Sequence, residues 1–305
     1  MHIQFRCALA ILCSGLLLHF ATPLKADSLR IVASIKPVHS LAAMVLEGIS
    51  DPYLIVKGAN SPHGHAMRPS DARAIAEADA IFWIGPALET FMVKPLSALT
   101  GKARIVALGE EEPGAAAHQA HKHAPSDGHD HGGIDPHVWL DPAHAQEMVE
   151  HIAETMLEIL PAEKDRIVQN KERALASLQR LEADMRRTLA PYRHEHVVVL
   201  HEAYSHFTRH FELEDFIALT VTPEHKPGPA RVMEIRKEIS EHAVRCVFAE
   251  PQFPDTYVKL LVEGTAAKAA TLDPVGATLE PGPAMYLKLM ENMAGSLKEC
   301  LAGTS

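Results

Sequence analysis

Short continuous apolar runs alternate along the chain with longer segments in which apolar residues recur every three or four positions. Leu29 to Ser34, Tyr53 to Val56, Ala80 to Gly85 and Arg104 to Val106 read as strands. Helices are predicted from Pro37 to Gly48, from Arg68-Pro69-Ser70-Asp71 onward, and from about Leu88 to Leu99. Pro37 suits a first helical turn and Gly48 a helix end. Strand and helix in alternation predict a parallel sheet covered on both faces.

The pattern changes in the middle. Ala143 to Leu160 is helical, Pro161 breaks or restarts the run, and Ala162 to Leu189 continues with apolar Ile167, Leu175, Leu178 and Leu181 among many charges. At 1.5 Å per residue that second run reaches about 40 Å, the scale of a whole domain. A second alternating region then follows. Strands are expected at His196–His201, Asp215–Leu219, Arg245–Ala249 and Ala269–Leu272, and helices at Tyr204–Phe211, Arg231–His242, Thr256–Ala267 and Pro283–Cys300. The predicted fold class is α/β, with two lobes, each a parallel sheet flanked by helices, joined by a long rigid linking helix. The corresponding segments are 27–160 for the N-terminal lobe, 161–190 for the linker and 191–305 for the C-terminal lobe.

Ahead of the first strand, Arg6 precedes the apolar stretch Cys7 to Leu18 and a small-residue region ending near Ala26. That is the layout of a secretory signal, so residues 1–26 are expected to be removed and the mature protein to be periplasmic. Removal takes Cys7 and Cys13 and leaves Cys246 and Cys300, which in an oxidising compartment predict one disulfide. The formal charge of −10, from 29 basic and 39 acidic residues, argues against a nucleic-acid partner.

Chemistry enters with the tract Ala115–Gly133, which sets His118, His121, His123, His129 and His131 among Ala, Gly, Ser and Pro. Imidazole suits borderline metals, and such a composition lacks the apolar area to fold alone. It reads as a secondary, metal-gathering loop. Ordered histidines are expected to build the main site. Ligands of open parallel sheets collect beyond the carboxyl ends of the strands, and His63, His137, His201 and Asp273 lie in or near segments adjoining such ends, two from each half. Four residues so distributed have the placement needed to meet in a cleft between lobes.

Several motifs, in order, resemble the metal-binding solute receptors of ABC importers, in the zinc-uptake branch. They are Ala33-Ser34-Ile35-Lys36-Pro37-Val38-His39-Ser40, Ser61-Pro62-His63 with Arg68-Pro69-Ser70-Asp71, Asp135-Pro136-His137-Val138-Trp139-Leu140, His201-Glu202-Ala203-Tyr204 and Leu272-Asp273-Pro274-Val275-Gly276. The similarity covers essentially the mature chain, and the His-rich insert and late cysteine pair match the same branch. The resemblance implies that His63, His137 and His201 bind the metal. It implies a fourth ligand that is an acidic group aligned with Asp273, an acidic group beside the first histidine, or water. Pro62 occupies the place beside His63, which removes that option and raises Asp273; Glu202, a sequence neighbour of His201 that would point elsewhere, ranks below it. Manganese-type relatives carry a carboxylate in place of the third histidine, so His201 argues for zinc. The implied function is capture of extracytoplasmic Zn²⁺ as a transported ligand, for delivery to a membrane permease driven by a separate ATPase. A monomer with no enzymatic activity is expected. A secreted zinc hydrolase with Glu202 as base, and a His-rich metal buffer or adhesin, are the alternatives; the His-Glu-x-x-His spacing of one hydrolase class is missing.

Overall fold

β1 (Ile31–Ala33), β3 (Ala80–Trp83) and β5 (Val197–His201) are buried at every position. Their near-continuous apolar character is what strands covered on both faces require. Around them the computed structural model, which describes residues 29–101, 103–109, 135–223 and 226–303, forms two parallel four-stranded sheets. The first also contains β2 (Tyr53–Leu54) and β4 (Arg104–Ala107), in the order β2-β1-β3-β4. The second adds β6 (Ile217–Thr220), β7 (Cys246–Ala249) and β8 (Lys268–Thr271), in the order β6-β5-β7-β8. The two orders are equivalent, so each lobe reverses direction at the same place: between its first and third strands.

The connecting helices of the first lobe are α1 (Lys36–Val45), α2 (Pro69–Ala76) and α3 (Thr90–Ser97). α4 (Pro142–Ile159) and α5 (Lys164–Leu189) follow, separated by a short 3₁₀ turn at Pro161–Glu163. The second lobe carries α6 (Ser205–Phe211), α7 (Pro229–Glu241), α8 (Thr256–Val262) and α9 (Met285–Ala302). The expected helix Thr256–Ala267 stops early, at Val262. Gly264 adopts φ +71° and the Thr265 amide donates to Val262 O, closing a turn before β8.

The linking helix α5 has 26 residues, about 39 Å at the standard rise. Ile167, Asn170, Ala174, Leu178, Leu181, Met185 and Leu189 form one buried stripe, packed against α1, α4 and α9. Leu175, one of the apolar residues of that run, is only partly buried, because Ala174 takes the inward position. The linker is thus one wall of a helical layer that belongs to both lobes. A single apolar cluster runs from β1 through α4 and α5 to α9, and a smaller one fills the outer side of the second sheet.

Buried polar contacts also join the lobes. The Lys36 ammonium donates to Gly276 O, Ala277 O and Leu279 O, each at 2.8 Å. Burial lowers its pKa, opposed by the nearby charges of Asp273 and Glu280. Trp139 Nε1 donates to Pro274 O at 2.8 Å, and the Tyr286 hydroxyl donates to Trp139 O at 2.7 Å. Gly276 is required where it stands: its φ is +69°, and a Cβ would meet Met285 Sδ at 2.8 Å. Separating the lobes would strip all these groups of partners at once.

At the reversal point of the first sheet, the Glu89 carboxylate accepts from the Ile84 and Gly85 amides, with the Ser34 hydroxyl beside it. Glu89 is fully buried, and burial pushes its carboxyl up to about 7, against the pull of Ser34, Gly85 and Ile84. The folded pKa lies above the unfolded value, so the stability it confers is complete below about pH 4.5 and is lost as pH rises through about 7. The difference amounts to about 3 kcal/mol. Glu89→Gln retains an acceptor for the two amides without the charge. We expect it to unfold at higher temperature than the unsubstituted protein at pH 8 and at a similar temperature at pH 5. Equal melting curves at both pH values would refute the assignment.

Candidate metal site

His63 is delivered by the loop between β2 and α2. The Asp71 carboxylate pins that loop's far end, accepting from Arg68 N at 3.0 Å and from the Tyr53 hydroxyl at 2.9 Å. His137 precedes the 3₁₀ turn Val138–Leu140, whose three residues are all buried. His201 is the last residue of β5, at the reversal point of the second sheet. The fold brings these three sequence-predicted residues together. Their donor nitrogens lie within 4.8 Å of one another.

The distances are informative. His137 Nε2 stands 3.2 Å from His63 Nε2 and 3.4 Å from His201 Nε2. Tetrahedral zinc with Zn–N near 2.0–2.1 Å places its donor nitrogens about 3.3–3.4 Å apart. Both distances therefore match the spacing of a zinc coordination sphere, and the third pair, His63 and His201, lies within 4.8 Å.

Two carboxylates that sequence reasoning did not assign complete the geometry. His137 Nδ1 donates to Asp135 Oδ1 at 2.7 Å, and His201 Nδ1 donates to Glu250 Oε1 at 2.8 Å. Each bond places the proton on Nδ1 and turns the Nε2 lone pair inward, the usual way a metal-binding imidazole is oriented. Asp135 also accepts from Ser205 N at 3.1 Å and Ser205 Oγ at 2.5 Å, and its backbone oxygen pairs with His206 Nε2 at 2.9 Å. Burial alone would raise the Asp135 carboxyl, but the bonds from His137 and Ser205 hold it well below the usual carboxylate range. Glu250 is 3% exposed and directly follows β7, beside the end of β5. A signal for it existed: it is the first residue beyond a predicted strand, at the crevice where ligands of such sheets gather.

Burial, reinforced by the proximity of His137 and His201, lowers the His63 pKa to about 3; burial also lowers that of His137. Inward-facing lone pairs without protons repel one another, and a cation relieves that repulsion. Bound there, a dication faces three neutral imidazoles, with Asp135 and Glu250 one bond further out to offset its two charges.

The cavity between them measures about 10 Å³, on the scale of one water-sized particle. Its other lining residues are Ser61, Pro62, Glu250, Gln252, Phe253, Pro274 and Val275. Asp273 is not drawn into the histidine group. Its Oδ1 accepts from Gln252 Nε2 at 2.9 Å, and its Oδ2 from Thr278 N at 3.5 Å. Glu202 is exposed, its amide donating to Thr220 O. His65 also stays outside, with its ring against Phe91 and Nε2 3.9 Å from Asp71. The expected pair Cys246–Cys300 forms a disulfide. The expected signal segment 1–26 and His118, His121, His123, His129 and His131 lie outside the described residues. Among the described residues no helix is long and apolar enough to cross a membrane.

Two parallel-sheet lobes enclosing three convergent imidazoles define a two-lobed metal-binding protein. The chain belongs to the family of ZnuA, zinc-uptake complex component A, periplasmic, whose sequence profile matches residues 31–300. It is 36% identical over 306 residues to the high-affinity zinc uptake system protein ZnuA of Brucella suis, covering 89% of this chain and 91% of that one. Against the protein of the same name from Yersinia pestis it is 33% identical over 310 residues, covering 96% of each. Its fold is similar to that of the periplasmic zinc-binding protein TroA from Treponema pallidum, with a TM-score of 0.77 at 20% identity over 89% of this chain and 98% of the other.

Proposed function

We propose that this protein captures Zn²⁺ in the periplasm through His63, His137 and His201 and delivers it, as a monomer, to a membrane permease driven by a separate ATPase. The observation that carries the proposal is the Nε2 spacing of 3.2 and 3.4 Å, with two of the rings locked by carboxylates. Zinc is cargo here, not a resident cofactor. Glu202 faces solvent, and Glu250, the buried carboxylate that touches His201, is committed to its Nδ1. That arrangement supports a binding site over a hydrolytic one, which needs a base beside an open metal position. The histidines of 115–133 raise the local zinc concentration near the main site without adding to its affinity.

Competition titration of the mature chain against a chromophoric chelator at pH 7.5 tests this. One tight zinc site per chain is expected, and deletion of 115–133 leaves it intact while removing only weaker sites. Failure of the full chain to take up stoichiometric zinc would sink the receptor reading; loss of the tight site on deletion would transfer the chemistry to the loop.

A further inference from the structure

Three imidazoles leave one position of a tetrahedral zinc to be filled. Much of the cavity wall around them is apolar, from Pro62, Phe253, Pro274 and Val275. Ser61 Oγ accepts from the His63 amide, and Glu250 Oε1 from His201. Gln252 is different. Its Nε2 donates to Asp273 Oδ1 at 2.9 Å, and because a carboxylate only accepts, that bond fixes which end of the amide is oxygen. The other end, Oε1, is buried and has no hydrogen-bond partner; among the described residues lining the cavity it is the one buried side-chain atom in that state. An amide oxygen left unpaired inside a protein costs about 1–3 kcal/mol, so this one calls for a partner, either water or a bound ligand.

We propose that Gln252 Oε1 accepts a hydrogen bond from a water molecule in the fourth coordination position of the zinc, and that Asp273 acts through Gln252 by holding its amide in that orientation. The inference rests on the zinc-receptor reading. Water bound to zinc is a strong donor, and Gln252 lines the same cavity as the three histidines with its Oε1 left to accept. The arrangement gives Asp273 a positioning role in place of a direct bond to the metal. It also keeps the metal's own ligands neutral, which favours a site that must later release its cargo.

Zinc affinity of the full mature chain, measured by chelator competition, separates the two roles. Gln252→Met, of similar size but lacking the amide oxygen, is expected to weaken zinc binding about tenfold, the lower end of what outer partners of metal ligands contribute. Asp273→Ala is expected to weaken it by no more than that, and the double variant to be no weaker than Gln252→Met alone, because both changes break one chain of contacts. The visible absorption bands of the Co²⁺-loaded protein should shift in the same direction in all three variants, a readout that a loss of packing alone would not reproduce. Apo-protein melting temperatures check that the variants fold. If Asp273→Ala costs more than Gln252→Met and the two losses add, Asp273 is itself a ligand and the inference fails. Unchanged affinity and spectra in Gln252→Met also overturn it. Absence of tight zinc binding in the unsubstituted chain would bring down the receptor reading first; tight binding with either adverse pattern overturns the inference alone.

Discussion

Replacing His137 by alanine should weaken zinc binding by two to three orders of magnitude. This imidazole is the middle of the three, with its Nε2 3.2 Å from one partner nitrogen and 3.4 Å from the other. Zinc held by four protein or solvent donors is bound with about 10–16 kcal/mol, so removing one imidazole forfeits roughly 3–4 kcal/mol. The change also strands Asp135, whose Oδ1 would lose its ring partner while the carboxylate stays buried. His65→Ala is the matched contrast. That residue is two positions from a ligand, yet its ring packs on Phe91 and it should leave zinc affinity unchanged. Both variants are compared with the unsubstituted chain by chelator competition at pH 7.5, with the apo-protein melting temperature as a check on folding. A loss under tenfold in His137→Ala, or an equal loss in His65→Ala, would mean that the metal is held elsewhere.

The three histidines were legible in the sequence because each sits in a short motif that resembles those of zinc receptors, although only His201 stands at a strand end. What their neighbours do was not. Glu250 reaches His201 only because β7 lies next to β5, and the order β6-β5-β7-β8 is written in no local pattern. Asp135 stood in view two residues before His137, but its second partner, Ser205, comes from the other lobe, 70 positions on. The same holds for Lys36. A lysine in a helix reads as a solvated charge, whereas here it is buried with three carbonyls of the segment after β8 as partners. For Asp273 the sequence shows the place near a strand end but not the partner, which in the fold is Gln252, whose Nε2 donates to its Oδ1. Strand and helix positions were readable to within a few residues, since apolar period and proline placement act locally. Ends set by turns, such as the stop of α8 before Gly264, depend on backbone conformations that the apolar pattern does not record.

Removing the disulfide should lower the stability of the protein by about 4 kcal/mol while leaving the zinc site in place. Cys246 opens β7 and is fully buried; Cys300 lies in the last turn of α9 and is 8% exposed. The bond closes a loop over a separation of 54 residues that contains α8, β8 and most of α9. In the unfolded chain a loop of that length loses conformational entropy worth about 4 kcal/mol at 25 °C, and the native state gains that advantage when the bond is intact. Alanine at both positions avoids leaving a polar group or a reactive thiol in the buried space between sheet and helix. The double variant Cys246→Ala/Cys300→Ala is expected to melt on the order of 10 °C lower, with unfolding free energy measured by denaturant titration. Zinc affinity at 25 °C should change little. Glu250 is held at the opposite end of β7 from Cys246, with the β7–β8 pairing and its bond to His201 intact. A stability change below 1 kcal/mol would show that the unfolded chain gains nothing from release of the crosslink. A large loss of zinc affinity in a variant that still folds would show instead that the bond holds β7, and with it Glu250, in register with the metal site.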